Sequence, residues 1–249
     1  MNDWNTNKLI RVTESSTLDT NGFNATWNNG VEASDSLTKV GPGTLRINDY
    51  SPAMGTQFWD IGTSTRNGGR VEVDGHARMA LEVNDGVLAA RGTFHSVRVF
   101  TDKGTLQPGD VGGPAVGTID AASMIISLGS AIDFDLGDSS DYMKSHTTLN
   151  KASGGTGPVN VAFRVDPSAD PGTYTLIEYF ENPSADLTFV ASDFAFTSNT
   201  PGFDGFFGVN VLPNGWQAVQ FTVTAVPEPA TATALIVYAL LQGRRRRRS

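Results

Sequence analysis

The chain has 249 residues, of which 26 are Asp or Glu, 18 are Lys or Arg and none is Cys, and its formal net charge is −8. Without cysteine it has no disulfide framework, no thiolate metal site and no cysteine nucleophile. The last 23 residues contain five arginines and one glutamate, so the remainder has 13 basic and 25 acidic residues and a net charge of about −12, which argues against a nucleic-acid partner.

The N-terminus lacks the features of a secretory signal peptide. Residues 1–8 contain a single cation, Lys8, together with Asp3, and the apolar run of about 7 to 15 residues that a signal peptide needs does not follow. Because the C-terminus points to export, as described below, we expect that the true reading frame begins upstream of Met1 or that the chain is a fragment. Export by another route is the alternative.

The body of the chain predicts an all-β fold. Glycine (27 residues) and proline (12) are frequent, and no stretch before Ala230 has the periodicity of an amphipathic helix. Apolar residues alternate with polar ones, as in strands with one buried face. The alternating runs are Leu45/Ile47, Val71/Val73, Met79/Leu81/Val83, Val97/Val99, Ile132/Phe134/Leu136, Val159/Val161/Phe163/Val165 and Phe221/Val223.

A short motif, Gly-Thr followed by an apolar or aromatic residue, recurs among these runs at irregular spacing. Glycine allows a corner, threonine favours extended backbone, and the third residue is expected to point into the core. The copies are Gly43-Thr44-Leu45, Gly92-Thr93-Phe94, Gly104-Thr105-Leu106, Gly117-Thr118-Ile119 and Gly172-Thr173-Tyr174.

Two segments resemble the autotransporter-associated β-strand repeats. The first is Lys39-Val40-Gly41-Pro42-Gly43-Thr44-Leu45-Arg46-Ile47, similar to the K-x-G-x-G-T-L-x-L unit, and the second is Gly104-Thr105-Leu106-Gln107-Pro108-Gly109-Asp110, similar to the G-T-L-x-P-G-N step. The resemblance implies a right-handed parallel β-helix over residues 1–137. A connecting loop is expected at 138–157, and an aromatic-rich antiparallel sheet or small sandwich at 158–224 would cap the stack. A β-sandwich throughout is the alternative.

The sequence contains one acidic cluster but no established catalytic motif. The three histidines stand apart, and nucleophile-elbow, dinucleotide and phosphate-loop patterns are absent. Three interpretations of the cluster remain open: a solvated strand face, which we favour, a calcium site, and a glycosidase carboxylate pair. No cofactor is otherwise expected. The members of the cluster are Asp133, Asp135, Asp138 and Asp141.

The four tryptophans are candidates for stacking on a sugar if they lie exposed beside carboxylates. Packing in the core or the cap is the more usual position of this residue. The four are Trp4, Trp27, Trp59 and Trp216.

The C-terminus has the order of a sorting signal: a Pro-Glu-Pro motif, an apolar segment and a basic block. The motif is Val226-Pro227-Glu228-Pro229. The apolar segment, at 230–243, would be about 21 Å long as a helix, a marginal membrane span. The residues of this segment assigned to the membrane are Ala230, Leu235, Ile236, Val237, Leu240 and Leu241. The basic block is Arg244, Arg245, Arg246, Arg247 and Arg248.

This order resembles the PEP-CTERM sorting signal. The resemblance implies a short hydrophobic helix in the tail at 225–249, transient insertion in the inner membrane, and processing by an exosortase-type transpeptidase in bacteria that often make exopolysaccharide. We therefore expect a non-catalytic exported protein of the cell envelope or extracellular matrix, with a structural or adhesive role. A secreted protein that binds or degrades polysaccharide is the alternative.

Overall fold

The computed structural model describes residues 3–29, 31–33, 37–50, 58–61, 69–99, 104–111, 115–152, 155–167, 169–180 and 188–225. Within these ranges the chain forms twenty β-strands and a 3-10 helix at Ala191–Asp193, with no α-helix. The predicted all-β class is therefore confirmed. The strands are β1 (Trp4–Thr6), β2 (Ile10–Val12), β3 (Ser16–Asp19), β4 (Ala25–Trp27), β5 (Val31–Ala33), β6 (Leu37–Val40), β7 (Thr44–Tyr50), β8 (Phe58–Ile61), β9 (Arg70–Val83), β10 (Gly86–Val99), β11 (Gly104–Pro108), β12 (Thr118–Ser127), β13 (Ala131–Leu136), β14 (Tyr142–Ser145), β15 (Leu149–Ala152), β16 (Val159–Val165), β17 (Gly172–Tyr179), β18 (Phe194–Ser198), β19 (Asp204–Val211) and β20 (Gln217–Ala225).

Most of these strands pair in parallel, and the longest ladder runs from one end of the described chain to the other. This first ladder contains, in spatial order, β1, β4, β7, the first halves of β9 and β10, then β11, β13, β16 and β18. Its register stacks apolar residues that are at most 2% exposed, so they form a column of the hydrophobic core. The column is Leu45, Val71, Leu88, Leu106, Ile132 and Val161.

Two further parallel ladders share strands with the first. The second contains β3, β6, β8, the last parts of β9, β10 and β12, and β15. The third contains the middle of β9 and β10, the start of β12, then β14 and the end of β17. Buried residues of all three ladders belong to one hydrophobic core. A separate parallel pair joins β2 and β5.

The strands β9 and β10 pass from the first ladder to the third at a pair of stacked glycines. Gly75 and Gly92 are partners in the register, and both have positive φ angles, 122° and 128°. A Cβ atom at Gly92 would lie 1.8 Å from the carbonyl oxygen of Gly75. Only glycine therefore fits this corner. Asp74-Gly75 is a dipeptide typical of turns, yet here it lies inside β9.

The predicted alternation and the Gly-Thr motif are confirmed in the strands. All seven alternating runs lie in strands: β7, β9, β10, β13, β16 and β20. The residue after Gly-Thr is at most 2% exposed in four copies of the motif, Leu45, Phe94, Leu106 and Ile119. In the fifth copy Tyr174 is partly buried and packs against the core.

Lys39, the first residue of the repeat-like unit, has a buried side chain that binds the turn after its strand. Its side chain is 1% exposed, and its Nζ atom donates hydrogen bonds to the carbonyl oxygens of Gly41, at 2.6 Å, and Val40, at 3.3 Å. Burial lowers the pKa of Lys39 to about 8, although the charge of Asp19 acts in the opposite direction. The ammonium group thus fixes the turn between β6 and β7 by binding its carbonyls.

Antiparallel pairing begins near the C-terminal end of the described chain, where β20 lies between β17 and β19. A cluster of phenylalanines packs under these strands. The Phe221 ring centroid lies 4.5 Å from that of Phe163 and within 5.8 Å of those of Phe196, Phe203 and Phe207. Large aromatic side chains therefore close this end of the core.

Two expectations about the domain layout need correction. The segment 138–157, predicted as a connecting loop, contains β14 and β15, which both pair in parallel with β12. Parallel pairing also continues beyond residue 137, as far as β18. This mostly parallel arrangement does not fit a β-sandwich throughout, since sandwiches are built from antiparallel sheets.

Apart from Ala225, which ends β20, the predicted sorting tail at 225–249 lies outside the described residues, including the helix predicted in its apolar segment. Among the residues that are described, none forms a helix of the length and apolar character required to cross a membrane.

Candidate functional site

The outward face of the first ladder carries a connected set of charged and amide side chains, which we call the outer polar network. It begins with Glu72, whose side chain is only 6% exposed and lies between two arginines. Glu72 Oε2 accepts from Arg46 Nε at 2.6 Å, and Oε1 accepts from Arg70 Nε at 2.7 Å. Burial raises the pKa of Glu72, but the hydrogen bonds and charges of Arg70 and Arg46 outweigh it, and the pKa lies below its ordinary value.

The network continues through the second repeat-like segment, at residues 104–110. Arg70 donates to Gln107 Oε1 and, at 2.7 Å, to the carbonyl oxygen of Asp110. Gln107 in turn donates from Nε2 to Asp133 Oδ2 at 2.6 Å. The glutamine therefore joins the arginines of the earlier strands to the acidic cluster.

Arg164, on β16, lies between two carboxylates at the far end of the network. One guanidinium nitrogen pairs with Asp110 Oδ2, and Nε lies 2.7 Å from Asp135 Oδ1. The Asp110 side chain is 3% exposed, and its other oxygen accepts from the backbone N–H of Ala115 at 3.1 Å. The pair thus holds the segment after β11 against the outer face of β13 and β16.

Burial raises the pKa of both Asp133 and Asp135 above the ordinary value. The hydrogen bond from Gln107 and the charge of Arg164 act against this at Asp133, and Arg164 acts against it at Asp135. Both carboxylates are half-buried, so they sit on the outward face beneath other side chains and not in open solvent.

Asp141 is completely buried, with no exposed surface. Its Oδ1 accepts from the backbone N–H of Gly117 at 2.8 Å, and Oδ2 accepts from that of Asp135 at 2.7 Å. Burial raises the pKa of Asp141 to about 7, although these two hydrogen bonds lower it. Asp141 therefore connects the start of β12 to β13, and its role is structural.

The expectation of a solvated acidic face is therefore wrong for most of the cluster. Asp133, Asp135 and Asp141 are held by Gln107, Arg164 and backbone amides, and only Asp138 is exposed, in the turn after β13. Across the described part of the chain, no group of three or more His, Asp or Glu side chains is placed to hold a metal ion. The geometry thus gives no support to the calcium interpretation, because the carboxylates already have partners.

A groove of about 510 Å³ opens beside the network. Its lining consists of Ala115, Val116, residues 135–139 and residues 164–167. The groove combines an apolar wall with the Asp135–Arg164 pair, a mixture that suits binding of a small polar ligand. The lining has no histidine or cysteine, so it offers neither of the usual nucleophile–base combinations.

Sequence reasoning found the carboxylates but missed their partners. Arg164 and Glu72 occupy ordinary polar positions within alternating runs, and no motif in the sequence identifies them as members of the outer polar network. Gln107 and Asp110 lie in the segment that resembles the G-T-L-x-P-G-N step, but Gln107 occupies its unspecified position and Asp110 stands in place of its asparagine.

The tryptophans divide between core and surface. Trp27 is 3% exposed, Trp4 is 50% exposed, and Trp216 is partly exposed on the outward side of the antiparallel end. The side chain of Trp59 lies outside the described part of the structure.

The comparisons with known proteins identify no relative: the chain matches no protein-family model and no curated protein. The resemblances to the sorting signal and to the β-strand repeats remain predictions.

Proposed function

We propose that this chain is an exported, non-catalytic protein of the bacterial cell surface or extracellular matrix. Its body is a right-handed parallel β-helix, and its tail is a PEP-CTERM signal that an exosortase-type enzyme processes at the inner membrane. An exopolysaccharide of the matrix is the partner that this setting offers.

The three parallel ladders support the β-helix. Residues stacked in one column are separated by 17 positions, from Val71 to Leu88, to 29 positions, from Ile132 to Val161. In a β-helix each coil contributes one strand to each ladder and contacts mainly the coils next to it. Strands β9 and β10 show this most clearly, because each of them passes through all three ladders in turn.

The observation that carries the non-catalytic role is the engagement of the acidic cluster by the scaffold. Asp133, Asp135 and Asp141 each have a protein partner within 2.8 Å. A general acid or base needs an accessible carboxyl group within reach of a substrate. Carboxylates held in this way stabilise the contacts between coils, and we assign them that task.

The order of features in the tail supports export. A Pro-Glu-Pro motif cannot continue a helix, the following apolar segment suits a bilayer better than water, and five arginines resist translocation. This combination of motif, apolar segment and arginine block is not expected in a protein that stays in the cytoplasm. The partners that follow from it are the sorting enzyme and, transiently, the inner membrane.

The experiment is intact-mass measurement of the protein recovered from the envelope and medium of a host that has the sorting enzyme. We expect a product that lacks the five arginines at 244–248. The variant Glu228→Ala should stay full-length because the motif is lost, whereas Glu14→Ala, at an exposed position in the body, should be processed normally. Recovery of only the full-length species from the unmodified chain would refute the sorting role.

A further inference from the structure

Two aromatic rings, the exposed Phe180 and the partly exposed Trp216, meet on the outward side of the third ladder, near the antiparallel end. Phe180 is 53% exposed, and its ring meets that of Trp216 edge to face, with centroids 6.0 Å apart. His146 also meets Trp216 edge to face, at the same centroid distance. The Lys144 ammonium lies 4.6 Å from the centroid of the indole ring. We call this group the Trp216 platform.

The Trp216 platform is held in place by the backbone. Trp216 ends the turn between β19 and β20, where its N–H donates to Asn214 Oδ1 at 3.0 Å and its carbonyl accepts from the N–H of Leu212 at 2.6 Å. Gly215 supplies the positive φ of 82° that this turn requires. The turn fixes the backbone of Trp216, and contacts with Phe180 and His146 restrict its ring, so the ring loses little conformational entropy when a ligand stacks on it.

Hydrogen-bonding groups surround the two rings. Glu178 accepts from Tyr142 Oη at 2.5 Å and from Asn214 Nδ2 at 3.2 Å, and each of its oxygens can accept another hydrogen bond. The carboxylate of Asp120 lies 2.6 Å from His146 Nε2. Burial, together with Glu178, raises the pKa of Tyr142, so its phenol stays protonated and remains a donor.

The charges around the rings alternate along the ladder. Asp120, Lys144 and Glu178 occupy one column of the register, so a cation lies between two anions. An anionic polymer would meet two carboxylates here and a protein body of net charge about −12. The platform therefore suits a ligand that is uncharged and rich in hydroxyl groups.

The aromatic area of the platform also limits the kind of ligand that it can bind. Even a whole aromatic side chain buries only about 150–250 Å², and Phe180 and Trp216 are each partly covered, so together they offer far less than the roughly 1,200 Å² of a specific protein interface. That area matches one or two sugar rings, whose C–H faces are apolar and whose hydroxyl groups lie at the edge. We infer that the Trp216 platform binds a neutral polysaccharide by stacking on Phe180 and Trp216.

This inference rests on the proposed matrix role only for the source of its ligand. The binding test uses the purified full chain and does not depend on processing of the tail. A negative result would therefore leave the sorting proposal intact, and a failure of sorting would leave the binding result intact.

The test is native electrophoresis of the full chain through gels that contain hydroxyethyl cellulose, dextran or galactomannan, with polygalacturonate as the anionic comparison. We expect at least one neutral polymer to retard the protein. Trp216→Ala and Phe180→Ala should each weaken that retardation at least about tenfold, which corresponds to about 1.4 kcal/mol. Phe206→Ala should leave it unchanged, since Phe206 is equally exposed, at 58%, but lies outside the platform.

Phe180→Ala keeps the test decisive if Trp216→Ala disturbs the turn, because Phe180 is 53% exposed and lies outside that turn. No retardation by any of the three neutral polymers would overturn the inference. So would retardation by polygalacturonate alone, or equal binding by the unmodified chain and Phe180→Ala.

Discussion

At the scale of single residues, the ion pairs on the outward face of the first ladder differ in how deeply they are buried. Asp110 is 3% exposed at its side chain, and its partner Arg164 is 33% exposed. A second pair on the same ladder, Arg91 and Asp74, is exposed at both ends, at 42% and 36%. Both are arginine–aspartate pairs, but Arg164 also lies 2.7 Å from Asp135, so a comparison between them shows the combined effect of burial and of the second carboxylate on the free energy of unfolding.

We expect Arg164→Met to lower the free energy of unfolding by at least about 2 kcal/mol, because it leaves a buried carboxylate without its cation. Arg91→Met should cost less than about 1 kcal/mol, since water solvates Asp74 once the arginine is gone. Urea denaturation of both variants measures the difference. Equal costs would mean that Arg164 contributes no more than a surface ion pair does.

The partners in this network could not be predicted because they are distant in sequence. Alternation alone placed Asp133 and Asp135 on one face of a strand. Gln107 lies 26 residues from Asp133, and Arg164 lies 54 residues from Asp110. The residues that face each other on neighbouring strands depend on the pairing register. A period-two pattern within one strand does not determine its register with a strand distant in sequence.

At the scale of strands, sequence prediction succeeded where apolar residues alternate regularly along the strand. Strands such as β13 and β16 contain three or four alternating apolar residues, and these were predicted. In β14, which has four residues, Met143 is the single large apolar side chain that points inward, and Ser145 occupies the next inward position. Such a short strand forms because β12 and β17 pair with it on either side, not because of its own pattern.

The corner at Gly92 yields a prediction at the same scale. Gly92→Ala should cost at least about 3 kcal/mol, because it combines an unfavourable positive φ with a Cβ atom 1.8 Å from the Gly75 carbonyl. Gly172→Ala is the matched control. A Cβ atom there meets nothing within 4 Å, and the change should alter stability by less than about 1 kcal/mol. Similar unfolding midpoints for the two variants would contradict the close stacking of β9 on β10.

At the scale of the whole molecule, three ladders share one core, and that core must be closed at its ends. Among the described strands, the last one of each ladder has no further parallel strand beside it, so the apolar side chains at that end need a cover. At the C-terminal end of the described chain the cover is the antiparallel β17–β20–β19 arrangement, with Phe163, Phe196, Phe203, Phe207 and Phe221 packed beneath it. The aromatic content of this region was visible in the sequence, but the continuation of parallel pairing into it was not.

Phe221 is the centre of that closure, because its ring contacts four other phenylalanine rings and has no exposed surface. Phe221→Ala should therefore lower the free energy of unfolding by about 3–5 kcal/mol, the usual cost of removing a buried phenyl ring and leaving a cavity. Phe206→Ala, on the neighbouring strand β19 but 58% exposed, should change it by less than about 0.5 kcal/mol. Urea unfolding followed by tryptophan fluorescence measures both. If the antiparallel end closes the common core, the loss in Phe221→Ala appears as an earlier single transition of the whole body. A separate early transition, with the remaining unfolding unchanged, would instead show that the end folds independently of the ladders.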